Sequence, residues 1–153
     1  MSSNQDKVLA EYIRTDEEGH IIKLYTTNYI NTFIEAAEDC PVREAEAPPL
    51  KEPKTAARIE YDMLIENPYL YTSDDVLYES NGKRRGISWE YFFSQGQACF
   101  RSSALTKRYG WGVHSDKDGK IAIYPVESDE YKRLSSDEAV KHVKAMRSNR
   151  RQS

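Results

Sequence analysis

The sequence predicts a single α+β domain with a largely antiparallel sheet and about three short helices, and three observations carry that expectation. Trp111-Gly112-Val113-His114-Ser115 and Lys120-Ile121-Ala122-Ile123-Tyr124-Pro125-Val126, joined by Asp116-Lys117-Asp118-Gly119, form the strongest hairpin signal in the chain. Residues 54–66 place Ala56, Ile59 and Met63 on one helical stripe, expected to be the core face, before Asn67-Pro68 breaks it. The length of 153 residues suits one ordinary domain with a single core.

In chain order, Val8–Arg14 and His20–Tyr25 flank an acidic turn that ends at Gly19, which reads as a hairpin, with a helix for the first run as the alternative. Tyr29–Glu35 is β-branched and aromatic and is expected to be a strand that ends near Cys40-Pro41. Residues 41–53 hold four prolines among acids, so they form an extended connector with little capacity for ladder bonding. After the 54–66 helix, Val76–Glu79 reads as a strand leading into an Asn81-Gly82 turn rich in Lys83, Arg84 and Arg85. Ser88 caps a short core helix over Trp89–Ser94, and Cys99–Ser102 reads as a further strand. Ser135 and Glu138 have capping-box spacing, and Val140, Val143 and Met146 continue at helical intervals, so the last element is expected to be a helix. The domain organisation is then an N-terminal extension over 1–24, one domain over 25–147 and a basic disordered tail over 148–153.

Charge is polarised along the chain. Residues 1–50 carry ten acids against four bases, whereas the remainder carries fifteen against eighteen, for a net charge of −3. A pI near 5.7 is lower than a dedicated nucleic-acid domain usually shows, so nucleic acid is open as a partner but not favoured. The longest apolar runs fall short of a membrane span and the start lacks a secretory pattern, which points to a soluble cytoplasmic protein without a membrane partner. Cys40 and Cys99 lie far apart with no metal-ligand spacing and read as free thiols.

The strings Thr26-Thr27-Asn28-Tyr29-Ile30-Asn31-Thr32-Phe33-Ile34-Glu35, Ala37-Glu38-Asp39-Cys40-Pro41, Tyr71-Thr72-Ser73-Asp74-Asp75-Val76-Leu77 and Lys107-Arg108-Tyr109-Gly110-Trp111-Gly112 resemble the landmarks of a bacterial domain-of-unknown-function family, family 6157. The resemblance covers about residues 25–151 and makes residues 1–24 an extension, because members typically start near the Thr-Thr-Asn-Tyr motif. It implies one domain and brings no activity with it.

Candidate chemistry concentrates between Lys83 and Lys120, where eight Lys or Arg meet three acids and seven aromatic rings are interleaved. Within it Arg101, Ser103, Lys107, Arg108, Tyr109, Trp111 and His114 are the candidate ligand-binding residues, with cations for an anion and rings for stacking. The competing reading puts Tyr109 and Trp111 in the core and leaves the cations as a solvated sheet edge. His114, with Ser115 and Asp116 beside it, is a candidate general acid or base, weighed against a hydrogen-bonded structural histidine. Cys40 is a candidate nucleophile, although Glu38 and Asp39 beside it disfavour a thiolate. Glu35, Glu38, Asp39, Asp74 and Asp75 lack diagnostic spacing, so no metal and no cofactor is expected. The expected function is a binding module for an anionic ligand: a nucleotide, a phosphate metabolite or single-stranded nucleic acid. The alternatives are a small enzyme using His114 and a protein-interaction domain docking through its acidic start or basic end.

Overall fold

The computed structural model describes residues 11–15, 18 and 21–149. The strands are β1 (Glu11–Thr15), β2 (Ile21–Tyr25), β3 (Thr32–Glu35), β4 (Trp111–Ser115), β5 (Ile121–Pro125) and β6 (Lys141–Lys144). The α-helices are α1 (Ala56–Glu66), α2 (Ser73–Leu77), α3 (Trp89–Phe93), α4 (Ala104–Lys107) and α5 (Asp129–Ser136). A π-helical turn, Tyr78–Gly82, continues α2, and short 3₁₀ turns cover Lys83–Arg85 and Phe100–Ser102. This is an α+β domain whose four-stranded sheet has the order β5-β4-β3-β6, beside a two-stranded β1-β2 ribbon.

The predicted hairpins form. β4 and β5 pair antiparallel with Val113 opposite Ile123, and β1 and β2 pair antiparallel with Ile13 opposite Lys23. β3 joins β4 antiparallel through Phe33 and His114. Alternation then sorts side chains to two faces. Ile34, Trp111, Val113, Ile121 and Ile123 join Leu64, Val76, Leu77, Phe100 and Leu105 in the main core. On the opposite face the Phe33 ring meets the edge of Tyr131 of α5, centroids 4.9 Å apart. Glycine is required at 112 because a Cβ there would lie 2.6 Å from Phe33 and 2.7 Å from Tyr131. A smaller cluster of Leu24, Phe92 and Phe93 ties β2 to α3. Each such fully buried apolar side chain contributes roughly 1.5–3 kcal/mol.

Five expectations are corrected. The buried face of α1 is Glu60 and Leu64, while Ile59 and Met63 are half-buried in a groove. Val76–Glu79 is helical, because Thr72 caps α2 by accepting from the Asp75 amide while the Asp75 carboxylate accepts from the Thr72 amide. The chain turns after Asn81-Gly82, at Gly86, whose φ of 75° suits glycine. Cys99–Ser102 is a 3₁₀ turn rather than a strand, and Ser103 starts the unforeseen α4.

The fifth correction concerns the end of the chain. The last helix begins at Ser128, whose hydroxyl accepts from the Tyr131 amide, and ends at Ser136. Residues 141–144 instead run parallel to β3 with Val143 opposite Ile34. The open edge of β3 supplies what a helix there would lack: the Lys141 amide donates to Asn31 and the Ala145 amide to Glu35, both at 2.8 Å. Beyond β6, the amides of Ser148 and Asn149 donate to Asp39 at 2.9 and 2.8 Å and hold its carboxyl below the usual range. The expectations for Val8–Ala10, for the tip of the first hairpin at Gly19 and His20, and for residues 150–153 lie outside the described residues.

Candidate functional site

The site is built on one buried carboxyl. α1 starts at Thr55, whose side chain accepts from the Arg58 amide, and the helix carries Ala56, Ala57, Glu60 and Leu64 along one side. Small residues at 56 and 57 leave room where Glu60, only 3% exposed, turns inward. Glu60 Oε2 accepts from the Ser80 hydroxyl at 2.8 Å and Oε1 accepts from the Ser103 hydroxyl at 2.7 Å. The π-helical turn presents Ser80, and the start of α4 presents Ser103, so three elements meet on this carboxyl. Burial pushes Glu60 above the ordinary carboxyl range, against hydrogen bonds from Ser103, Ser80 and Asn81 that favour its ionised form.

Above Glu60 opens a cleft of about 260 Å³ between the first turn of α1, the π-helical turn and residues 97–104. Its polar wall holds Asn81, Arg85, Gln97, Ser102 and Ser103. Arg85 Nε donates to the Asn81 carbonyl at 2.6 Å, which steadies the guanidinium against that wall, and Gln97 Nε2 donates to the Phe92 carbonyl at 2.7 Å. Cys99 also lines it, with its Sγ 3.4 Å from the Tyr29 hydroxyl. A π-helical turn at a cleft is a common functional arrangement, since the inserted residue re-aims neighbouring side chains.

The residues singled out in the sequence separate. Ser103 lines the cleft, whereas Arg101 Nε donates to the Lys144 carbonyl at 2.7 Å and its own carbonyl accepts from Met146, fastening the chain beyond β6. Arg108 is exposed and Lys107 half-buried at the end of α4. Trp111 is 5% exposed, and its indole donates to the Glu46 carbonyl at 2.9 Å; half-buried Tyr109 packs against the main core, its carbonyl accepting from the Glu46 amide. The Pro-rich connector is therefore fastened at Glu46 by the Trp111 indole and the Tyr109 carbonyl.

His114 lies on the other side of the sheet. Its Nδ1 is 2.7 Å from the Tyr69 hydroxyl, which is 2.9 Å from the Tyr124 hydroxyl. Burial lowers its pKa and, more strongly, raises that of Tyr69, so the triad favours neutral groups. Cys40 packs against the main core, and both thiols are unbridged. His142 is 2.9 Å from the Leu134 carbonyl.

Asp74 forms a second buried polar centre. Its carboxylate accepts from the Thr26 hydroxyl at 2.5 Å and from the Thr27 amide and hydroxyl at 2.7 Å, while its amide donates to Asn28 at 2.9 Å. Every oxygen is committed, so Asp74 joins the segment before β3 to α2. Among the described residues no group of three or more His, Cys, Asp or Glu could hold a metal ion, and no helix is long and apolar enough to cross a membrane.

Sequence reasoning missed Glu60 and Gln97, and it read Asn81 and Arg85 only as residues of a turn. The available signal was the row Ala57, Glu60, Leu64 at three- and four-residue spacing, which competes with the Ala56, Ile59, Met63 row and carries a polar group on a small-residue face. Residues 24–151 match the model of a protein family described as "Family of unknown function (DUF6157)". No curated protein and no solved structure matches the chain.

Proposed function

We propose that this chain, which belongs to the DUF6157 family of unknown function, is a binding module that seats a small anionic ligand in the cleft over Glu60. The observation that carries the reading is the buried Glu60 carboxyl, held by Ser80 and Ser103 at the floor of a cleft whose wall presents Arg85. Arg85 is the cationic side chain in that lining, and burial favours the neutral form of Glu60, its carboxyl. The first turn of α1 adds the positive end of an eleven-residue helix. A phosphate or carboxylate group is what such a set of donors recognises, and about 260 Å³ suits a small metabolite rather than a polymer.

Of the sequence candidates, Ser103 belongs to this site. Arg101, Lys107 and Arg108 contribute electrostatic attraction at most, because none of them lines the cleft. Thermal unfolding in inorganic phosphate, sulfate and short carboxylates tests the reading. One of these raises Tm in a saturable way, and Arg85→Ala removes the rise; a panel without effect refutes it.

A further inference from the structure

α1 separates two depressions. Away from Glu60, its Ile59 and Met63 form the apolar floor of an open groove of about 690 Å³. The rings of Tyr71, Tyr78 and Trp89 line it, with Tyr78 and Trp89 centroids 5.2 Å apart. Two carboxylates, Asp75 and Glu79, complete the lining. Among the described residues Lys83 pairs with Glu79, its ammonium 3.5 Å from that carboxylate on a side chain that is 65% exposed. An exposed pair of this kind is held weakly.

From this combination we infer a second site, whose ligand is a small organic cation: an alkylammonium head group against the Tyr71, Tyr78 and Trp89 rings and the two carboxylates, with an apolar body over Ile59 and Met63. Ring faces attract ammonium groups through their quadrupole, and trimethylated ammonium is favoured because it gives up little hydration on entering an aromatic lining. Carboxylates alone would attract any cation, and rings alone any apolar molecule. Together they select a cation with an apolar surface. The groove is larger than a bare head group needs, which is why the ligand carries a body. The head group takes the position beside Glu79 that Lys83 now occupies.

The two tryptophans make the test internal, since Trp89 lines the groove and Trp111 is buried against the connector. Choline, its neutral isostere 3,3-dimethylbutan-1-ol, and hexyltrimethylammonium are titrated while the two indole N–H resonances are followed. Choline moves the Trp89 indole and leaves Trp111 in place, and the neutral isostere binds about fivefold or more weakly. Hexyltrimethylammonium binds about tenfold more tightly than choline, through burial of its chain. Glu79→Gln weakens choline binding, and Lys83→Ala, which removes the competing cation, strengthens it; both changes are at the surface and leave the core intact. Equal binding of choline and its isostere, movement of both indoles together, or no response to choline overturns the inference. So does choline binding that Glu79→Gln leaves unchanged.

Discussion

The Ser103 hydroxyl donates to Glu60 Oε1 at 2.7 Å while its oxygen accepts from the Leu105 amide at 3.1 Å, so one side chain both caps α4 and anchors the buried carboxyl of α1. Ser103→Ala removes both bonds and leaves one Glu60 oxygen short of a donor. A loss of about 1–3 kcal/mol in urea unfolding is expected, more than the loss of an exposed cap alone. A change within about 0.5 kcal/mol would mean that Glu60 finds equivalent solvation without Ser103.

Stability falls as pH rises through the titration of Glu60. Burial raises its folded-state pKa above that of an unfolded glutamate, about 4.3, so folding favours the protonated form. That increment is fully present below the unfolded value and is lost as pH rises through the folded one. Asp74, also raised by burial, acts in the same direction. Glu60→Gln removes the Glu60 share, and its urea midpoint should decline less than that of the parent chain from about pH 4 to about pH 8. Parallel declines would contradict the assignment.

Asp74→Ala should be among the most damaging single changes. It strips an acceptor from the Thr27 amide and from the hydroxyls of Thr26 and Thr27, all within the fold. Each orphaned buried group costs about 1–3 kcal/mol, so a loss of about 3 kcal/mol or more is expected by chemical denaturation. Asp74→Asn keeps the shape and one acceptor and should lose less.

Gly112→Ala drives a methyl into the Phe33 and Tyr131 rings from distances of 2.6 and 2.7 Å. Overpacking of this kind costs about 1–3 kcal/mol. Gly96→Ala meets nothing within 4 Å and should be neutral or slightly stabilising. Equal melting temperatures for the two variants would contradict the packing of α5 on the sheet.

The fold class, the β4–β5 hairpin, α1 and α3 were legible because each rests on local signals: alternation, a turn, a cap and a following Pro or Ser. β6 was not legible. Val140, Val143 and Met146 carry a helical interval, and only the distant edge of β3 makes Lys141–Lys144 a strand. The cleft was legible in one residue, Ser103, since Glu60, Arg85 and Gln97 are brought together by the π-helical turn and by contacts that sequence neighbours do not report. The aromatic and basic composition around Arg101–His114 mixed three environments: a clamp beyond β6, a buried indole and a histidine on the opposite face.

The most direct measurement is amide chemical-shift mapping of the labelled chain titrated with inorganic phosphate, with sulfate used for the pH dependence because it stays anionic. The account predicts saturable shifts centred on Ala56, Ala57, Arg85, Ser103 and Ala104, affinity that strengthens as pH falls and Glu60 is neutralised, and a loss of about tenfold or more in Arg85→Ala. Shifts centred on Lys107 and Arg108, or none that saturate, would contradict it.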